Sequence, residues 1–183
     1  MCYLWTEENH LALMTLIIDQ FAPTSKRLAL QTFEGNNIDN EQFDCIAMSE
    51  LNLGKSYEKA YSNAIFKGVP TPVYNCHGFT FGSRRTGIFE EAEIEKILKD
   101  DKYVEIKDEK QVLPGDVILY YKDGELTHSG LVIQSTFRVN DLPEIIVLSK
   151  WSKFKEVIHN ANYSPYSDGI KKYRRINHGL KVI

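Results

Sequence analysis

The second half of the chain is dominated by short runs of β-branched and aromatic residues, a composition typical of strands. The runs are residues 117–121, 126–134, 144–148 and 155–159. Asp123-Gly124 lies between the first two runs and is a favoured sequence for a tight hairpin turn. An antiparallel sheet is therefore predicted from Val117 onward, with this turn joining two neighbouring strands.

The chain before residue 70 has apolar residues at helical spacing. This spacing predicts a helix over 8–21 and one or two more over 44–53 and 56–66, with Gly54 and Gly68 as stops. Helices followed by an antiparallel sheet make an α+β domain. We therefore predict a helical N-terminal part packed on the sheet.

The length of 183 residues fits a single domain. Within it, residues 1–70 are predicted to be the helical part and residues 71–183 the core. An acidic amphipathic pattern over 89–98 predicts a further helix in that core.

The formal net charge of −3 argues against nucleic acid as a partner. The basic stretch over 171–175 is interpreted as a solvated strand edge, where charge discourages edge-to-edge pairing. The apolar run over 11–18 is shorter than the roughly 20 residues of a membrane span. Residues 1–10 contain no basic residue of the kind that opens a secretory signal. A cytoplasmic protein with no membrane partner is therefore expected, and the sequence leaves its oligomeric state open.

The three cysteines are an odd count without a CxxC pair, which argues against a disulfide framework and a zinc site. We therefore expect free thiols, with no metal and no cofactor.

Cys76 is the best candidate for a nucleophile. Asn75 is a good helix N-cap, which would place Cys76 in the first turn of a helix. Free backbone N–H groups and the helix dipole stabilise negative charge there, so a lowered thiol pKa is predicted. The same N–H groups could receive an oxyanion, and Gly78 would leave room for a substrate backbone.

His128 is the matching candidate for a base. It opens an apolar strand directly after the Asp123-Gly124 turn, so its ring is expected at the end of the sheet. A neutral imidazole there could take the thiol proton and later return it to a leaving group.

Three motifs resemble those of NlpC-type peptidases, which are papain-fold cysteine hydrolases. They are residues 75–79 (NCHGF), 113–118 (LPGDVI) and 127–132 (THSGLV), in the family's order. The resemblance covers about residues 73–148. It implies a papain-like fold, with Cys76 as nucleophile, His128 as base, and peptides of the cell wall as the substrate class.

The sequence departs from this family on both sides of the cysteine. His77 replaces the usual small serine, and Asn75 replaces the common aspartate. Both residues, together with Ser149 and Trp151, are candidates for contact with the substrate or its oxyanion. Trp151 could equally belong to the core.

Catalytic sites of this family have a third polar residue, which orients the histidine base and normally lies on the strand that follows it. Alignment of the strands puts Ser149 or Lys150 there, whereas His159 lies one hairpin later. His159 is chemically better suited to orient an imidazole, because serine is a weak acceptor and a lysine would repel a charged His128. We therefore favour His159.

Hydrolysis of an amide bond through a Cys76 acyl-enzyme is the leading functional hypothesis. The substrate would be a cell-wall-type peptide or a protein, and a role as an exported effector or toxin is compatible with it. The alternatives are a transferase or deamidase that uses the same residues and a papain-fold binding or immunity module without catalysis.

Overall fold

A seven-stranded antiparallel sheet organises the part of the chain that the computed structural model describes, residues 24–137 and 143–176. Its strands are β3 (Ile65–Lys67), β4 (Tyr103–Ile106), β5 (Val117–Lys122), β6 (Glu125–Thr136), β7 (Glu144–Lys150), β8 (Glu156–Asn160) and β9 (Ile170–Ile176). Their spatial order is β3-β8-β7-β6-β5-β9-β4. The predicted antiparallel sheet is confirmed, and it also recruits strands that precede Val117.

The hairpin between β5 and β6 turns at Asp123-Gly124, as predicted. The φ angles of these two residues are 53° and 91°, and Lys122 pairs with Glu125 across the turn. Positive φ at both central positions is what a tight hairpin turn requires, and Asp-Gly tolerates it. The register shifts at an irregularity between Tyr120 and Tyr121, after which His128 lies opposite Tyr120.

The basic stretch over 171–175 does not form a strand edge, so that interpretation is wrong. It lies in β9, which is paired on both sides, with β5 and β4. Tyr173 is buried in the core, and Arg175 binds both carboxylate oxygens of Asp116 at 2.7 Å. The error arises because side chains alternate between the two faces of a strand. A strand inside the sheet can therefore bury Tyr173 and leave the neighbouring basic residues near the surface.

Residues 24–70 contain one helix, the lower of the two numbers predicted for this stretch. It is α1 (Met48–Ala60), which passes through Gly54. Gly54 is therefore not a stop; a Cβ there would lie 2.2 Å from a ring carbon of Phe154. The helix ends at Ala60 rather than at Gly68, and the segment that was predicted to continue as helix ends in β3, which pairs with β8.

Two further strands in this part pair with each other, β1 (Ser25–Lys26) and β2 (Gln42–Phe43). The helix predicted over 8–21 lies outside the described residues.

The predicted amphipathic helix is present as α3 (Glu91–Asp100), with Ile94 and Ile97 buried. They join a small core cluster with Ile38 and Ile88. None of the helices in the described ranges is long and apolar enough to cross a membrane.

The main core cluster lies on one face of the sheet. Its buried members are Val112, Ile118, Tyr120, Val132, Ile145, Val147, Ala161 and Tyr173. The short helix α2 (Cys76–Phe81) packs on β6 and β7. The candidate residues gather where these three elements meet.

Candidate active site

Asn75 is the N-cap of α2, as predicted. Its Oδ1 accepts hydrogen bonds from the backbone N–H of Gly78 at 2.8 Å and of Ile88 at 3.1 Å. Its Nδ2 donates to the carbonyl of Ile88. The side chain therefore fixes Cys76 as the first residue of the helix and ties this turn to the following loop. Gly82 is the C-cap of the helix.

Gly78 does not leave room for a substrate. A Cβ at this position would lie 1.7 Å from the carbonyl oxygen of Thr86. The space beside the glycine is therefore filled by the protein's own backbone, and the prediction of an approach path here is wrong.

Backbone N–H donors act on the ionisation of the Cys76 thiol. Those of Ser129, His77 and Cys76 itself each lower its pKa and so favour the thiolate. Ser129 is available because β6 pairs with β7 only from Gly130 onward. These donors come from two separate elements, α2 and β6.

The predicted lowering of the Cys76 pKa is not observed. The side chain is 8% exposed, and burial raises the pKa of the thiol to about 11 despite these backbone donors. Desolvation penalises the charged form more than the helix start favours it. In the free protein the sulfur is therefore a neutral thiol at neutral pH.

His77 belongs to a chain of side-chain hydrogen bonds. Its Nδ1 lies 2.9 Å from Ser129 Oγ, which donates to Thr80 Oγ1, which donates to the carbonyl of Cys76. Since both hydroxyl protons are used, Nδ1 must carry the donated proton and Nε2 the lone pair. Burial lowers the pKa of His77 to about 4, so the ring is neutral.

The His128 ring is enclosed by aromatic side chains. It is 0% exposed and stacks on Tyr166 with ring centroids 3.8 Å apart and planes at 5°. Neither ring nitrogen has a hydrogen-bond partner among the described residues. The ring therefore does not hydrogen-bond to the Cys76 sulfur in this structure. Burial, with smaller contributions from His159 and His77, holds its pKa well below the usual range.

No contact joins Cys76 and His128 among the described residues. Ser129 directly follows His128 on β6, and its side chain bonds to His77 and Thr80 of α2. Alternation along the strand sends the side chains of Ser129 and His128 to opposite faces. The sequence motifs alone could not identify Ser129 and Thr80 as supports of this site.

Ser149 and His159 contact each other rather than His128. Ser149 Oγ lies 2.9 Å from His159 Nε2, and His159 Nδ1 lies 2.9 Å from the carbonyl of Asn160. A carbonyl only accepts, so Nδ1 donates to it and Ser149 donates to Nε2. Both nitrogens of His159 are thus occupied, and the favoured orienting bond to His128 is not formed in this structure.

Trp151 lies in the core and does not line a cleft. It is 0% exposed and packs edge-on against Tyr57, Tyr61 and Phe66. Contact with a substrate is therefore not available to it in this arrangement. Two surface grooves, one beside Lys96 and the other beside Lys172, contain none of the candidate residues.

The described side chains include no group of three or more His, Cys, Asp or Glu residues suited to a metal ion.

The buried neutral histidines predict a loss of stability in acid. Burial lowers the pKa of His77 and of His159 to about 4, whereas an unfolded chain has histidines with a pKa of about 6.5. Below about pH 6.5 the unfolded state therefore binds protons that the folded state does not bind. Each ring should lower the free energy of unfolding by up to about 3 kcal/mol as the pH falls to about 4.

Urea unfolding at a series of pH values measures this effect, and His77→Gln or His159→Gln should flatten the dependence. The same slope in wild type and both variants would contradict it.

Comparisons of the sequence with protein-family models and with curated proteins, and of the structure with solved structures, each find no match.

Proposed function

We propose that the protein is a cysteine hydrolase of papain-like, NlpC-type fold that cleaves an amide bond, with Cys76 as nucleophile and His128 as general base. The observation that carries the proposal is the place of Cys76 as the first residue of α2, capped by Asn75. There the backbone amides of α2 and of β6 favour the thiolate, and such donors are suited to hold negative charge. The His128 imidazole has both nitrogens unbonded among the described residues, so both are available for proton exchange.

The reaction begins with a neutral thiol and a neutral imidazole. His128 takes the thiol proton as the sulfur attacks the carbonyl carbon of the substrate, so a C–S bond forms and the carbonyl oxygen becomes an oxyanion. The backbone N–H groups of α2 and β6 that favour the thiolate are our candidates to stabilise that charge. As the intermediate collapses, the C–N bond breaks and the imidazolium gives its proton to the leaving amine. Water, deprotonated by the same imidazole, then hydrolyses the thioester.

Access to the base requires a movement of Tyr166. The stacked phenol covers one face of the His128 ring, and the ring is fully buried. Tyr166 lies between β8 and β9, and its backbone N–H bonds to Ser164 within the same turn. A substrate peptide that displaces this turn would bring its carbonyl to the thiol, so the described structure corresponds to a closed state.

A binding or immunity module without catalysis is the second candidate function. The burial of Cys76 and His128 favours it, as does the absence of a hydrogen bond between them. A transferase or deamidase would use the same two residues and would differ only in the nucleophile that resolves the thioester. These alternatives make different predictions for one assay.

Short cell-wall-type peptides, with free and amidated side chains, test the proposal when they are incubated with the full chain. A hydrolase should release an amine-bearing fragment, a deamidase should release ammonia, and a transferase should form product only when a second amine is added. Binding of a peptide by calorimetry without any cleavage would favour the second candidate and contradict the proposal.

A further inference from the structure

Lys150 is a buried cation whose ammonium has no carboxylate partner of its own among the described side chains. The residue is 0% exposed, and its Nζ donates to the carbonyl of Phe154 at 3.0 Å. The ammonium also lies 4.6 Å from the centre of the Tyr74 ring. An ammonium group in such an environment normally needs an anion, because burial without one is costly.

The nearest carboxylate is already engaged. Glu156 pairs with Lys150 across β7 and β8, but its oxygens accept from Arg84 at 2.6 and 3.2 Å and from the Tyr74 hydroxyl at 2.7 Å. No ion pair joins Lys150 to Glu156 among the described side chains. Two cations and one carboxylate leave this cluster with a charge of +1.

Cys76 is the ionisable group that can supply the second anion. Tyr74, whose ring lies 4.6 Å from the Lys150 ammonium, precedes Cys76 by two residues. Lys150 lowers the pKa of the thiol, and Cys76 raises that of the lysine, which burial lowers to about 8. The other ionisable groups near the thiol are His77 and Tyr166, and burial disfavours the charged form of both.

We propose that Lys150 is the counter-charge of the Cys76 thiolate, a positioning residue that acts on the reaction through the sulfur. The role of Lys150 in catalysis rests on the proposed hydrolase function, whereas its effect on the ionisation of the thiol does not. As His128 removes the thiol proton, negative charge develops beside an ammonium in a site from which water is excluded, where the attraction is strong.

Glu156 should oppose this effect. Its carboxylate favours the charged form of Lys150 and competes with the thiolate for the same cation. Removal of the lysine charge and removal of the glutamate charge should therefore shift the thiol pKa in opposite directions. A merely structural role would not produce opposite signs.

The rate of iodoacetamide alkylation at Cys76, followed by peptide mass spectrometry across pH in the full chain, tests the inference. Lys150→Met should slow alkylation at neutral pH by about tenfold or more, the equivalent of one pKa unit. Glu156→Gln should accelerate it, and Lys150→Arg should remain close to wild type. Lys155→Met is the matched control, because it removes the same charge from a lysine paired with Glu58.

An unchanged pH profile in Lys150→Met would overturn the inference, as would slower alkylation in Glu156→Gln. If Lys150→Met does not fold, as judged by circular dichroism, the signs found for Glu156→Gln and Lys150→Arg decide the question. The assay contains no substrate. A protein that fails to hydrolyse any peptide can therefore still show the lysine effect, and the failure of one proposal is distinguishable from that of the other.

Discussion

Cys76→Ala is expected to abolish amide hydrolysis, with a loss of about a thousandfold or more in kcat/KM, because no other group can form the acyl-enzyme. The steady-state rate at which each protein hydrolyses a peptide that wild type cleaves, at matched protein concentration, measures this loss. A contaminating hydrolase would determine the lowest rate that the assay can measure. The variant must therefore be purified in parallel with wild type.

The burial of Cys76 makes a control for stability necessary. The side chain is 8% exposed, and its truncation removes buried atoms. Cys76→Ser keeps the volume and the contact with the backbone donors while weakening the nucleophile, so it should melt close to wild type and remain inactive. Activity of Cys76→Ala near the wild-type level would show that the function does not pass through this thiol.

His128→Ala is expected to cost about a hundredfold to ten-thousandfold in kcat/KM, the usual contribution of a positioned acid–base group. The double variant Cys76→Ala with His128→Ala should be no worse than Cys76→Ala alone, because the two residues act as one unit. His159→Gln is the matched control. It changes a buried imidazole that bonds to Ser149 and Asn160, so its effect on the rate should be smaller.

The pH profile of wild type separates a base from a structural histidine. His128 works as a base only while it is neutral, and burial holds its pKa well below the usual range. Activity should therefore persist below about pH 6.5, the ordinary histidine pKa, and decline only in stronger acid. A decline centred on the ordinary pKa would indicate that the active form exposes His128. Equal activity of His128→Ala and wild type at every pH would contradict its role.

Local patterns predicted the elements that depend on local physics. The Asp123-Gly124 turn, the Asn75 cap and the buried face of α3 follow from the preferences of a few neighbouring residues. The structure of residues 56–66 was harder to predict. Their last residues form a strand by pairing with β8, and no pattern within the segment specifies that pairing.

The helix start at Cys76 occurs where the Asn75 cap predicted it, whereas the surroundings of Cys76 and His128 were not predictable. The thiol pKa was predicted in the wrong direction because burial depends on which side chains cover the sulfur, a property of the tertiary structure. For the same reason the sequence could not assign Trp151 to the core or to a cleft. It also could not predict that Tyr166 stacks on His128 or that Lys150 is buried without an ion pair among the described side chains.

The identity of the nucleophile is the central claim, and a trapped acyl-enzyme tests it most directly. The full chain is mixed with an activated acyl donor such as p-nitrophenyl acetate, quenched in acid to preserve a thioester, and digested for mass spectrometry. Our account predicts an acyl group on the peptide that contains Cys76, formed as nitrophenol is released and lost on neutral incubation with hydroxylamine. Turnover of the donor with Cys76 unmodified at every time point, and undiminished in Cys76→Ala, would contradict it.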